Sequence, residues 1–416
     1  MSNFLTSVVS LGVRASGSLI QLAISWLIVR IYGANSVGEF FFGLMLVTGL
    51  SIIVKQGEDI ALVQYLPGRD ISTRIKGGVV AEIIRAVIVR SIIVTALSVT
   101  AVWIIADTHI RINLSVMLLS LAGMSVTMVI SEYLKAEGKI IQSGVLQYVI
   151  GSSVAVMILL IFLYLDQYGI NLENILAAEH IWVIVWSLLL FIQVAFIYKL
   201  ICRKHHEEVC GEVGEIRRVG KEIFKVNALG FSIGWMDIIL SNFIYGALLI
   251  SVYSIANKIS LIGAFIAIAI TSVYGRQIAI AYKEGDMVKL KRIYIESHRA
   301  AIIIGAPLLS LLIIFRGEIM GFWGEEFSSM SDILILMIIG QNALLIFGPS
   351  NYTMLMTQRG GVLKNIYMTG VAIMISMGVY FSETDNIYTV ALITSLVNIS
   401  INATSYVYVR KKIFKC

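Results

Sequence analysis

Apolar runs of about 20 residues recur from one end of this chain to the other, and a helix of that length spans the hydrocarbon of a bilayer. No water reaches backbone groups inside that layer, so each run must close its hydrogen bonds within itself. Twelve such runs are read, at 9–31, 38–60, 84–105, 113–134, 144–165, 180–199, 226–249, 252–274, 299–315, 332–350, 362–381 and 387–409. Composition agrees, with 58% of the 416 residues hydrophobic and 14% charged, against about 25% charged in soluble domains. Three prolines and few long polar stretches leave no place for a sizeable soluble domain. Residues 1–11 lack the basic n-region and small-residue cleavage site of a secretory signal. The expected fold class is an all-α integral membrane protein with twelve transmembrane helices.

Basic residues test that count. Lys and Arg gather in alternate connections: Arg69, Arg74 and Lys76; Lys135 and Lys139; the segments 199–225 and 276–299; Arg359 and Lys364; and Arg410, Lys411, Lys412 and Lys415 at the end. The other connections hold only Arg111 and Arg316. The positive-inside rule then puts both termini in the cytoplasm. The same bias accounts for the net charge of +6 without a nucleic-acid partner. Cys202, Cys210 and Cys416 fall on the cytoplasmic side, where thiols stay reduced, and no disulfide is expected.

The chain also reads as doubled. Ile31-Tyr32-Gly33-Ala34 follows the first run, and Ile244-Tyr245-Gly246-Ala247 ends the seventh, half the chain later. Ser36-Val37-Gly38-Glu39-Phe40 and Ser251-Val252-Tyr253-Ser254-Ile255 come behind them. The expected organisation is an N-terminal six-helix bundle over 1–198, a basic cytoplasmic linker over 199–225, and a C-terminal six-helix bundle over 226–416. Parallel repeats of this kind are a transporter plan.

Several runs carry polar faces. Arg14, Ser18, Gln21 and Ser25 share one helical face of the first, and Asn227, Gly230, Gly234, Asp237 and Ser241 share one of the seventh. Ser395, Asn398, Asn402 and Ser405 do so in the twelfth. The second run holds Lys55, Glu58 and Asp59 within one turn, and the eighth holds Asn257 and Lys258. A charge at the bilayer centre costs roughly 2.5–3.5 kcal/mol on insertion scales, so these groups need water, a ligand or each other. Two readings stay open. Ser and Asn faces also join helices, Lys55 has Glu58 and Asp59 within reach as ion-pair partners, and Arg30 is placed to snorkel. Arg85 and Arg90, near the inner end of the third run, are read as snorkelling. Cys202, His205, His206 and Cys210 match no standard zinc spacing, so no metal is assigned. The glycines from Gly33 to Gly43 lack the strand–loop–helix setting of a phosphate loop.

The order of short motifs resembles the polysaccharide-repeat-unit (O-antigen type) flippases of the multidrug/oligosaccharidyl-lipid/polysaccharide exporter superfamily. The motifs are Tyr32-Gly33-Ala34 with Gly38-Glu39-Phe40, Tyr253-Ser254-Ile255-Ala256-Asn257-Lys258-Ile259, Tyr282-Lys283-Glu284-Gly285-Asp286, Trp323-Gly324-Glu325-Glu326-Phe327, and Phe347-Gly348-Pro349-Ser350 followed by Met354-Leu355-Met356-Thr357. The resemblance implies two six-helix bundles around a central cavity in the cell inner membrane. It implies a substrate, an oligosaccharide repeat unit on undecaprenyl pyrophosphate, carried from the cytoplasmic to the periplasmic leaflet by alternating access. It also implies a polysaccharide polymerase and a chain-length regulator as partners, and no cofactor. Related lipid II flippases carry functional arginines in their first helices, for which Arg14, Arg30 and Lys55 are the matches. Those relatives have fourteen spans, which argues against a peptidoglycan precursor here.

On that basis Arg14, Gln21, Arg30, Lys55 and Lys258 are the expected substrate-binding residues. Asp237, Glu58 and Asp59 are the expected ion-coupling residues, for H+ or Na+. A cation-coupled multidrug exporter of the same superfamily is the first rival, but its cavity should be acidic and this one leans basic. A membrane polysaccharide polymerase or ligase is the second. It is disfavoured by short external connections, by the absence of a nucleophile–base pair, and by five histidines that all lie in or beside loops.

Overall fold

The computed structural model describes residues 3–66, 72–105, 108–166, 168, 176–200, 206–263, 274, 278, 281–282, 284–357, 359–380 and 386–414. Among them there are helices and turns and no strand. Nine of the described helices are long and apolar enough to cross a membrane, from Ala15–Tyr32 to Ile387–Ile413, and two shorter apolar helices are Leu248–Ser260 and Asp332–Gln341. The protein is a multi-pass membrane protein. The chain divides into two compact units, one formed by Ser16–Ala228 and the other by Leu229–Cys416 together with Met1–Ala15.

The first unit is built from the part of α1 (Asn3–Tyr32) that follows Ala15, with α2 (Ala34–Lys55), α3 (Glu58–Tyr65), α4 (Thr73–Ile105), α5 (Thr108–Leu118), α6 (Leu121–Ala136), α7 (Ile140–Gly144), α8 (Gly151–Asp166) and α9 (Ala178–Leu200). A π-helical turn, Val145–Ile150, joins α7 to α8. Several of the expected spans are thus interrupted. The second breaks at Gln56 and Gly57, both with positive φ (51° and 75°), a region favoured by glycine and little else. The fourth breaks at Leu119 and Ser120, where tight bonds run from Leu119 N to Val116 O (3.0 Å) and from Ser120 N to Met117 O (3.1 Å).

Helix α10 (His206–Ile244) runs from the first unit's residues into the second's. The sequence predicts a solvated linker for its first half, and that half is a helix instead. Val213, Ile216 and Gly220 on one face of it are buried. The second unit continues with α11 (Ala247–Ser260), α12 (Met287–Ile314), α13 (Arg316–Gly321), α14 (Glu325–Ser329), α15 (Asp332–Gln341), α16 (Ala343–Phe347), α17 (Ser350–Met356), α18 (Gly360–Tyr380) and α19 (Ile387–Tyr408). The Phe347-Gly348-Pro349-Ser350 element is the bend between α16 and α17. Gly348 has φ 71°, and the Tyr294 hydroxyl donates to the Phe347 carbonyl at 2.9 Å. Residues 264–273, the end of the expected eighth span, lie outside the described part.

The two units repeat each other in specific contacts. The Tyr32 hydroxyl donates to the Leu176 carbonyl (2.7 Å), just before α9. The Tyr245 hydroxyl donates to the Asn386 carbonyl (2.9 Å), just before α19. Each unit also brings two helices together at a glycine. A Cβ on Gly123 of α6 would sit 2.3 Å from the Trp186 carbonyl oxygen of α9, and one on Gly340 of α15 would sit 2.4 Å from the Ser395 Cα of α19. Gly123→Ala and Gly340→Ala are therefore expected to destabilise the folded protein by about 1–3 kcal/mol each through overpacking. Gly361→Ala, with nothing within 4 Å of its Cβ position, is the neutral control. Thermal unfolding in detergent measures all three.

Candidate functional site

The break between α2 and α3 gathers the charges of the first unit. A helix end leaves carbonyls at its C-terminus and amides at its N-terminus without partners, and it attracts cations to the former and anions to the latter. Lys55 occupies the last turn of α2, and Glu58 and Asp59 the first turn of α3. All three are buried, Glu58 at 1% exposure. Lys55 Nζ donates to Asp59 Oδ2 at 2.7 Å and contacts Met128 Sδ at 3.1 Å. Glu58 accepts a two-pronged contact from Arg90 of α4, Nη2 to Oε1 at 2.8 Å and Nη1 to Oε2 at 3.1 Å. Arg217 of α10 adds Nε to Oε1 at 3.2 Å. Arg90 Nη1 also donates to the Val54 carbonyl (3.0 Å), one of the acceptors exposed by the end of α2. The backbone fits as tightly: a Cβ on Gly57 would lie 2.4 Å from the Gly220 carbonyl oxygen of α10.

The second unit holds a different polar cluster. Asp237 of α10 is fully buried. Its Oδ2 accepts the Tyr253 hydroxyl of α11 at 2.7 Å, and its Oδ1 accepts the Ile238 amide at 2.8 Å. Tyr253 Oη lies 3.3 Å from Thr394 Oγ1 of α19. One turn on, Asn257 Oδ1 accepts from Gln341 Nε2 (3.3 Å), and Asn342 Nδ2 donates to the Ser260 carbonyl (3.0 Å). The carboxylate is thus held by hydrogen-bond donors from its own helix and from α11. Lys258, half-buried, sits in the last turn of α11, where a cation faces the carbonyl end of the helix.

These positions sort the expected residues. Lys55 and Asp59 pair with each other, the ion-pair alternative of the sequence reading. Glu58 is drawn to Arg90 and Arg217. Arg90, read from sequence as snorkelling, turns inward instead because Glu58 offers it a buried carboxylate. Arg85 is exposed, 3.9 Å from Glu82. Gln21, half-buried, donates to Ser152 Oγ of α8 at 3.0 Å. Arg30 is exposed and lies over the Trp26 ring at 5.6 Å. Arg14 belongs to α1, but its side chain lies outside the described part, as do Cys202, His205 and Cys416. Cys210 is a free, exposed thiol.

Sequence reading misses three groups. Arg217 falls in the expected linker, though the apolar spacing Val209, Val213, Ile216 is helical. Arg90 stands within an apolar run, which by itself calls for a buried carboxylate. Glu179, at the start of α9, is buried, and nothing in its local sequence distinguishes it.

No family model and no curated protein matches the chain. Solved structures do. The lipid II flippase MurJ in an inward closed conformation superposes with a TM-score of 0.73 at 15% identity, over 97% of this chain and 88% of that one. An inward-facing multidrug resistance MATE family transporter of the MOP superfamily gives 0.71 at 17%, over 98% of each chain. A MOP superfamily transporter from Pyrococcus furiosus, for which a reverse polarity of the binding pocket suggests a different function, gives 0.64 at 13%, over 98% and 94%. The chain has the fold of the MOP superfamily transporters. At these identities the likeness is one of fold, and it extends over nearly the whole of each protein. These neighbours are transporters and a flippase, not polymerases or ligases.

Glu58→Gln tests the ionic cluster. Removing one partner of a buried pair costs about 3–5 kcal/mol, and the partial exposure of Arg90 and Arg217 lowers the expected loss to about 2–3 kcal/mol. The double variant Glu58→Gln/Arg90→Gln is expected to be less destabilised than the two single losses added together. A double-mutant cycle by unfolding in detergent measures this coupling.

Proposed function

We propose that the protein is a flippase that moves an undecaprenyl-pyrophosphate-linked oligosaccharide repeat unit, of O-antigen or a similar surface polysaccharide, from the cytoplasmic to the periplasmic leaflet of the inner membrane. Twelve spans with both termini in the cytoplasm complete this reading. The observation that carries it is the pairing at the α2–α3 break. Glu58 and Asp59 are the two acidic groups at that break on which a cation-binding drug site would draw. They are already neutralised by Arg90, Arg217 and Lys55. At this break three cations, Lys55, Arg90 and Arg217, stand against two carboxylates, a local surplus that suits a pyrophosphate.

The physical task supports the same substrate. A pyrophosphate with attached sugars cannot enter hydrocarbon unaided, and fixed cations offset its desolvation through charge-assisted hydrogen bonds. Arginine suits this role because its planar fork meets two phosphate oxygens at once. Arg14, Gln21, Arg30, Lys55 and Lys258 are the proposed substrate-binding set. Lys55 does so in exchange for its bond to Asp59. Of the coupling candidates, Asp237 is favoured over Glu58 and Asp59, because its carboxylate is held by a phenol and an amide rather than by a cation. Protonation or sodium binding there, with H+ or Na+ as the coupling ion, would drive alternating access. The polyprenyl tail stays in lipid, and a polymerase and chain-length regulator receive the product.

A cation-coupled multidrug exporter is the rival reading, favoured by the MATE neighbour and by the buried carboxylate of Asp237. The fold accommodates either, since one neighbour is described as having a pocket of reverse polarity. Deletion separates them. Loss of the flippase leaves single lipid-linked repeat units on the cytoplasmic face and strips the surface polysaccharide, whereas loss of an exporter makes the cell drug-sensitive.

Arg14→Ala is expected to insert normally and to reduce repeat-unit export at least about tenfold; export at the wild-type rate would remove Arg14 from the site. Asp237→Asn keeps an acceptor for the Tyr253 hydroxyl and is expected to accumulate normally while transport loses its dependence on the ion gradient. Persisting gradient dependence would place coupling elsewhere.

A further inference from the structure

One cavity of the first unit lies outside the proposed substrate-binding set. It measures about 370 Å³ and is lined by Glu82, Arg85, Ala86, Val89 and Arg90 of α4 and by Arg217 of α10. We infer that this cavity is a headgroup site for one anionic phospholipid of the surrounding bilayer, with Arg85 and Arg217 holding its phosphate and Arg90, bound to Glu58, adding its charge behind them.

Charge and geometry point to a single phosphodiester. Three guanidinium groups face two carboxylates, Glu82 in the wall and Glu58 behind it, so one positive charge remains. Arg90 turns its fork to Glu58. Arg217 reaches Glu58 through Nε, and its side chain is 42% exposed. Arg85 is only loosely engaged, 3.9 Å from Glu82 with a side chain 79% exposed. Planar guanidinium N–H donors with one unit of surplus charge complement a pair of phosphate oxygens.

The outward face of α4 says where the rest of the ligand lies. Val89, Ile93 and Leu97 succeed one another at four-residue steps and are about half exposed or more, as are Ile92, Trp103 and Ile104. In a membrane protein such a stripe faces lipid tails. It starts at the cavity, because Val89 belongs to both. The ligand therefore carries its phosphate at one end and hydrocarbon at the other. Basic pockets between helices near the membrane surface bind phospholipid headgroups in this way.

The site also has a structural effect. Arg90 and Arg217 are the residues that tie α4 and α10 to Glu58. A phosphate beside them relieves the repulsion between two guanidinium groups that share one carboxylate, so bound lipid holds the first half of α10 against the α2–α3 break.

The test uses the full-length protein purified in detergent, with native mass spectrometry and thermal unfolding as readouts, neither of which depends on the transported substrate. Phosphatidylglycerol, phosphatidylcholine and inorganic phosphate are the probes. Phosphatidylglycerol is expected to bind and to raise the unfolding midpoint more than phosphatidylcholine does. Arg85→Gln/Arg217→Gln is expected to weaken phosphatidylglycerol binding roughly tenfold, and Arg218→Gln, an exposed arginine paired with Glu215, is expected to leave it unchanged. If the double variant does not fold, Arg85→Gln alone carries the test with an expected weakening of a few-fold. Equal binding of the two lipids, or undiminished phosphatidylglycerol binding in the Arg85 variants, would overturn the site. Stabilisation by inorganic phosphate equal to that by phosphatidylglycerol would overturn the lipid as its occupant.

Discussion

A helix that stops inside a membrane leaves carbonyls and amides with no water to receive them, and the first unit is organised around one such stop. At Gln56 and Gly57 the chain turns through left-handed conformations. Lys55 faces the carbonyl end of α2, and Glu58 and Asp59 face the amide end of α3. Arg90 answers both needs at once, binding Glu58 with its fork and the Val54 carbonyl with one of its nitrogens. Arg217 then draws α10 onto the same carboxylate, and Gly57 and Gly220 allow the two backbones to touch. Charges that would be costly in isolation thus become the joint between α2, α3, α4 and α10.

The two units show how a repeated plan was put to different uses. Tyr32 and Tyr245 make the same bond to the segment before the last helix of their unit, and Gly123 and Gly340 serve the same kind of close helix contact. Eight residues after each tyrosine the units part. Phe40 packs edge-on against Trp182 at 5.5 Å, whereas Tyr253 binds Asp237 and meets Thr394. Eight residues before them the difference recurs, with buried Ile24 in one unit and buried Asp237 in the other. At these two positions the second unit is polar where the first is apolar.

Much of this was legible in the sequence. Nine long apolar helices among the described residues follow from apolar length, and the two tyrosines of the Tyr-Gly repeat make like bonds, to the Leu176 and Asn386 carbonyls. The Lys55–Asp59 bond followed from a spacing of four. What escaped was of two kinds. Breaks within spans escaped because a hydropathy average does not register two residues such as Gln56 and Gly57. Long-range pairings escaped because Glu58 lies 32 residues from Arg90 and 159 from Arg217, and no local pattern joins them. The helical first half of α10 was the avoidable miss, since Val209, Val213 and Ile216 stand in helical register and the last two are buried.

The turn at Gln56 and Gly57 has a further consequence, in the length of the chain rather than its composition. Each residue added to or removed from a helix rotates the residues beyond it by about 100°. One insertion between Lys55 and Glu58 would swing Glu58 away from Arg90 and Arg217, separate Lys55 from Asp59, and leave five charged groups without these partners. Variation in this protein should therefore reach the segment as exchanges of side chains, while its residue count stays fixed between the end of α2 and the start of α3.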